Sequence, residues 1–119
     1  MSIDPVALVR RYHAALQPYD ASLAAACFAP AAVYVSPGVN GRIEGRGAII
    51  AAFNAYFAEY PDQQAEDTRI DRLPGLAACA HWRLAATSAT TGLRIIRHGV
   101  ETVRFNAEGL IIAVEVEEL

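Results

Sequence analysis

Residues 76–116, LAACAHWRLAATSATTGLRIIRHGVETVRFNAEGLIIAVEV, decide the fold class. Two turn signals, Thr91-Gly92 and Asn106-Ala-Glu-Gly109, divide the stretch into Leu76–Thr90, Leu93–Phe105 and Leu110–Val116. All three runs have strand character, and the short links between them predict an antiparallel meander. Successive strand residues point to opposite faces, so the runs sort into two sets. Trp82, Leu84 and Ala86, then Gly99, Glu101 and Val103, then Val114 and Val116 share one face. His81, Arg83, His98, Val100, Thr102, Arg104, Glu115 and Glu117 share the other. The first set is apolar except for Glu101. The second is mixed and charged, which suits a convex face at solvent or at a polar contact between copies.

Upstream the signals are helical. Asp4-Pro5 is a helix start, with Val6, Val9, Tyr12 and Leu16 at helical spacing before Gln17-Pro18. Asp20 is placed to cap a second short helix through Phe28, closed by Pro30. Ala31–Ser36 reads as a strand, and a turn-rich stretch follows over 37–47. A third helix runs over 46–60, with Ile49, Ile50, Phe53, Tyr56, Phe57 and Tyr60 on one broad face and Pro61 as its stop. Asp62–Arg72 is polar without a sustained period and reads as an edge strand. Three N-terminal helices followed by a sheet give an α+β domain, the helices covering one sheet face.

The composition narrows the function. The chain has 119 residues, enough for one domain, 1–119, and its 54% hydrophobic content can build a core. A net charge of −3 supplies no footprint for nucleic acid or an anionic membrane. All ten basic residues are Arg, so no lysine is present for Schiff-base chemistry. Cys27 and Cys79 stand far apart, outside any CxxC, and read as buried thiols. His13, His81 and His98 lack ligand spacing, so no metal site is expected. GVNGRIEGRG lacks the strand–turn–helix grammar of a phosphate loop. MSIDPVALVRRY is neither signal nor transit sequence, no apolar run reaches membrane-span length, and the expected location is the cytoplasm.

Several strings, taken in order, name a family. RYHAAL at 11–16, CFAPAAVYVSP at 27–37, EGRGAIIAAF at 44–53, YPD at 60–62, AHWRLAAT at 80–87 and GVETVRFNAEGLI at 99–111 resemble the SnoaL-like and ketosteroid-isomerase-like group. That group belongs to the nuclear-transport-factor-2-like superfamily. The resemblance implies a cone, in which a strongly curved antiparallel sheet wraps around three helices and encloses an apolar pocket. It also implies a homodimer and no cofactor. It leaves the chemistry open, because one fold hosts many functions.

Carried over residue by residue, the resemblance puts Glu101 where ketosteroid isomerases hold a protonated Asp and SnoaL-type cyclases a catalytic Asp. Burial on an apolar face disfavours a carboxylate, which suits proton transfer near neutral pH; the protonated-Asp role in ketosteroid isomerase is a known reference case. Tyr12, after Arg11, matches the isomerase Tyr that donates to the oxyanion. Ser36-Pro37 stands where those isomerases carry their Asp base, and Phe28 and Phe53 replace their supporting tyrosines. The usual steroid-isomerase mechanism is therefore not expected. The expected catalytic pair is Glu101 and Tyr12. The expected lining is Tyr34, Ser36, Phe53, Trp82, Leu84, Val103, Val114 and Val116, with Arg97 at the rim facing an anionic substrate group.

Two functions follow. One is a cofactor-independent isomerase, cyclase or dehydratase acting on a small apolar carbonyl compound, with Glu101 moving the proton and Tyr12 holding the oxyanion. The alternative is a non-catalytic binding or carrier protein for a small apolar ligand. In either case the partners are a small molecule and a second copy of the chain, the copies meeting through the convex sheet face, with no nucleic acid and no membrane.

Overall fold

A computed structural model describes residues 3–17, 21–37 and 41–119. Helix α1, Pro5–Leu16, starts as its sequence dictates: the Asp4 carboxylate accepts from the Val6 and Ala7 amides at 3.1 and 3.3 Å. Its buried side chains, Pro5, Val9 and Tyr12, form one stripe. A 3₁₀-helix, Ala21–Cys27, runs directly into strand β1, Phe28–Ser36. The expected capping role of Asp20 lies outside the described residues, as do Pro18 and positions 38–40 of the turn-rich stretch.

β1 begins three residues earlier than expected, so Pro30 sits inside a strand instead of closing a helix. Proline lacks a ladder donor, and the pairing of β1 is interrupted between Phe28 and Val33, where that lack costs little. Strand β2, Gly41–Glu44, makes a hairpin with β1, and α2, Arg46–Glu59, follows. The remaining strands are β3 (Gln64–Leu73), β4 (Ala77–Thr87), β5 (Arg94–Phe105) and β6 (Ile111–Glu118). Between β5 and β6, the Asn106 side chain accepts from the Glu108 and Leu110 amides, and Gly109 takes φ +81°.

The class is α+β: three helices on a curved, unclosed sheet of order β2-β1-β6-β5-β4-β3. One pair departs from the expected antiparallel pattern, since β1 runs parallel to β6. With β2 on one edge of β1, only the other edge is open to the last strand, which arrives in the same direction as β1. The sheet is therefore mixed. Helix α1 packs against β3, β4 and β5, whereas α2 packs against β1, β2 and the 3₁₀-helix. Between them lies an aromatic core: Phe28 meets Tyr12 and Phe53 edge-on at 5.4 and 6.2 Å, and Phe53 meets Tyr34 at 4.9 Å. No described helix is long and apolar enough to cross a membrane.

Candidate functional site

The strand register sets which side chains reach the interior. Along β5, Glu101 lies opposite Ala80 and Val116, Gly99 opposite Trp82 and Glu118, and Arg97 opposite Leu84. These residues, apart from Ala80 and Gly99, line a cavity of about 210 Å³ between the helices and the inner face of the sheet. Tyr12, Tyr34, Ser36 and Phe53 line it as well. Val103 and Val114 do not: both are fully buried in the core cluster, paired across β5 and β6 one step further along the ladder.

Glu101 is 8% exposed and does not stand alone among apolar groups. His13 of α1 reaches its Oε1 with Nε2 at 3.2 Å and bonds Asp67 Oδ2 through Nδ1 at 2.7 Å. Three elements thus meet in an Asp67–His13–Glu101 line. Burial alone pushes the imidazolium pKa down, but the Glu101 charge and the bonds to both carboxylates outweigh it and raise His13 to about 10. At neutral pH the ring is cationic, and each of its N–H groups donates to a carboxylate.

A β-bulge brings Asp67 into this line. Before it, Ala65 pairs with Leu84 and Asp67 with Trp82; after it, Arg69 pairs with His81 and Ile70 with Ala80. Thr68 is the extra residue, and its hydroxyl bonds the His81 carbonyl at 3.3 Å. Asp67 and Ile70 consequently both face inward, three positions apart instead of two or four. This is why Asp62–Arg72 shows no period in the sequence. His13 and Asp67 were not among the expected site residues. They are 54 residues apart, and neither carries a motif that would link them.

The other polar groups fall into place around this line. Burial first, and then the charge of Glu101, hold the Tyr12 phenol well above its ordinary value, so it remains a proton donor. Its hydroxyl makes no hydrogen bond among the described residues. Tyr34 is raised by the same two causes, with Tyr56 adding to them and a hydrogen bond with Ser36 opposing them. Arg97 does not contact Glu101. Its Nε donates to Glu118 at 2.7 Å and its Nη1 to the Tyr56 hydroxyl at 3.2 Å. The Trp82 indole nitrogen is buried without a partner among the described residues.

Among those residues no cluster of His, Cys, Asp and Glu has the arrangement to hold a metal ion. Both cysteines are free thiols, half-buried. The arrangement can move a proton: a carboxylate in a cavity, a cation fixing one of its oxygens, and a neutral phenol nearby.

Comparison with known proteins agrees with the fold. The family model described as a SnoaL-like domain matches residues 9–114. No curated protein matches the chain in sequence. Similar solved structures include an NTF2-like protein of unknown function from Burkholderia pseudomallei, at 16% identity and TM-score 0.84, covering 99% of this chain and 92% of that one. A Mycobacterium tuberculosis protein, RV0760c, in complex with estradiol-17beta-hemisuccinate has 19% identity and TM-score 0.81, with coverage of 96% and 93%. A Catenulispora acidiphila protein with a ketosteroid isomerase-like fold, in complex with trimethylamine, has 15% identity and TM-score 0.80, with coverage of 92% and 83%.

Proposed function

The chain belongs to the SnoaL-like domain family, and from that premise we propose that it is a cofactor-independent isomerase, cyclase or dehydratase for a small apolar carbonyl compound. The observation that carries the reading is the Asp67–His13–Glu101 line ending in an aromatic cavity. That two proteins of similar fold hold small organic molecules supports a small-molecule ligand here.

In the proposed chemistry, Glu101 takes a proton from the carbon beside the carbonyl. The C–H bond breaks, its electron pair moves to the carbonyl oxygen, and Tyr12 donates a hydrogen bond to the resulting enolate. Return of the proton from Glu101 to a second carbon completes an isomerisation. Attack of the enolate carbon on a second carbonyl of the same molecule forms the ring C–C bond and moves that carbonyl's π pair to its oxygen. That oxygen takes the proton from Glu101, which completes a cyclisation. Loss of a β-hydroxyl, which leaves as water with that proton, completes a dehydration. His13, anchored by Asp67, keeps the Glu101 carboxyl turned into the cavity. Ser36 has no share in the proton transfer.

The second reading is a binding protein, in which the same line is a structural ion cluster. Buried charges paired in this way also occur without catalysis. The two readings separate with 2-tetralone, an apolar ketone with acidic α-hydrogens, in D₂O. Under the catalytic reading the protein accelerates uptake of deuterium beyond the buffer rate. Glu101→Gln then reduces that acceleration by about 10²–10⁴-fold, the usual share of general acid–base catalysis. Binding of 2-tetralone without accelerated exchange would favour the carrier.

A further inference from the structure

The cavity is polarised along β5. Arg97, Gly99 and Glu101 follow one another on its inner face, and four residues of strand span about 13 Å. Gly99 puts no side chain between the two charged ones: a Cβ there would run into the Glu117 backbone carbonyl and come within 2.8 Å of the Trp82 ring. Toward Glu101 the carboxylates act as acceptors and already hold the His13 cation. Toward Arg97 the donors exceed the acceptors. The guanidinium spends its Nε–H on Glu118 and one Nη1–H on Tyr56, and among the described residues nothing accepts from Nη2. Tyr56 accepts from Arg97, which leaves its own O–H free to donate. The N–H of Trp82, which pairs with Gly99 in the ladder, is buried without a partner among the described residues.

We propose that Arg97 and Tyr56 form an anchoring subsite for a carboxylate. The molecule in the cavity is then an apolar acid, with its anionic end at Arg97 and its reacting carbonyl end at Glu101. The inference rests on the catalytic reading above for the second half of that statement only. A guanidinium presents five donors in a fork that matches a carboxylate, and Glu118 occupies only the Nε edge. Glu118 is also the weaker holder, because its side chain is 39% exposed whereas that of Arg97 is 25% exposed. Repulsion from Glu101 and Asp67 at the far end sets the orientation, since an anion is disfavoured there.

The test uses three eight-carbon probes: octanoate, octanamide and octyltrimethylammonium. Trp82 is the only tryptophan, so its fluorescence reports binding inside the cavity, with calorimetry as the second readout. Octanoate is expected to bind at least about tenfold more tightly than octanamide, as a charge-assisted pair requires. Arg97→Leu should remove that preference and leave octanamide binding in place. Glu118→Gln, which removes the competing negative charge from the Nε edge, should strengthen octanoate binding alone, and it decides the matter if Arg97→Leu fails to fold. Equal binding of octanoate and octanamide to the wild type, or tightest binding of the ammonium probe, overturns the anchor. That outcome leaves deuterium exchange into 2-tetralone untouched. Failure of all three probes to bind overturns the anchor, and absence of exchange into 2-tetralone overturns the catalytic reading separately.

Discussion

His13 links the chemistry of the site to its stability. Its ring is half-buried between two carboxylates, and its pKa is raised from 6.5 to about 10. A group whose folded-state pKa is raised binds its proton more tightly in the native state. The stabilisation is therefore complete below about pH 6.5 and is lost as pH rises through about 10. Thermal melts of the wild type and His13→Gln across that window should converge at the alkaline end, the wild type losing its advantage near pH 10. Parallel curves would show that His13 does not hold a proton in this way. The sequence signalled Glu101 through its isolation on an apolar strand face and its place in the family resemblance, and Tyr12 through the resemblance of Arg11-Tyr12 to the isomerases. His13 gave no such signal, because its partners come from β3 and β5 and only the packing of α1 brings them together.

At the scale of elements, alternation in β4, β5 and β6 was legible because most inward positions are apolar, the charged exceptions within residues 76–116 being Glu101 and Arg97. Arg97 lay on the same face, and the ladder places it there. β3 was not legible, because the bulge at Thr68 changes the phase halfway along the strand. Removing Thr68 should restore simple alternation, with Asp67 two positions before Ile70 and both still inward, so His13 keeps both carboxylates. A histidine NMR titration is expected to show the wild-type midpoint for His13 in that deletion and a lower one in Asp67→Asn, because Asp67 raises the His13 pKa. A lowered midpoint in the deletion would mean that Asp67 depends on the bulge for its place. The parallel β1–β6 pair was also missed, since a meander pattern carries no information about which strand adds at its edge.

For the whole molecule, the family strings indicated an α+β container with helices on one face, and the inner face of the sheet faces the cavity. The outer face is where we propose that two copies meet. Ile96 is 78% exposed there, and Val100 stands further along the same side of β5 among charged neighbours. Sedimentation at roughly tens of micromolar should give about twice the 12.8 kDa chain mass, because self-association follows protomer concentration. A single species of 12.8 kDa would contradict this. The shape of the container could be inferred from a string of residues, whereas its electrostatics could not. The Asp67–His13–Glu101 line and the Arg97–Tyr56–Glu118 group each draw on elements distant in sequence.

The central claim is that Glu101 carries the proton. It is tested most directly by the rate of deuterium uptake into 2-tetralone across three single variants, each compared with the wild type. Glu101→Gln should lose the most, about 10²–10⁴-fold. Tyr12→Phe should lose less, since one donor is removed while the ring still packs. Ser36→Ala should stay close to the wild type. Full activity in Glu101→Gln together with loss in Ser36→Ala would contradict the account and move the chemistry to β1.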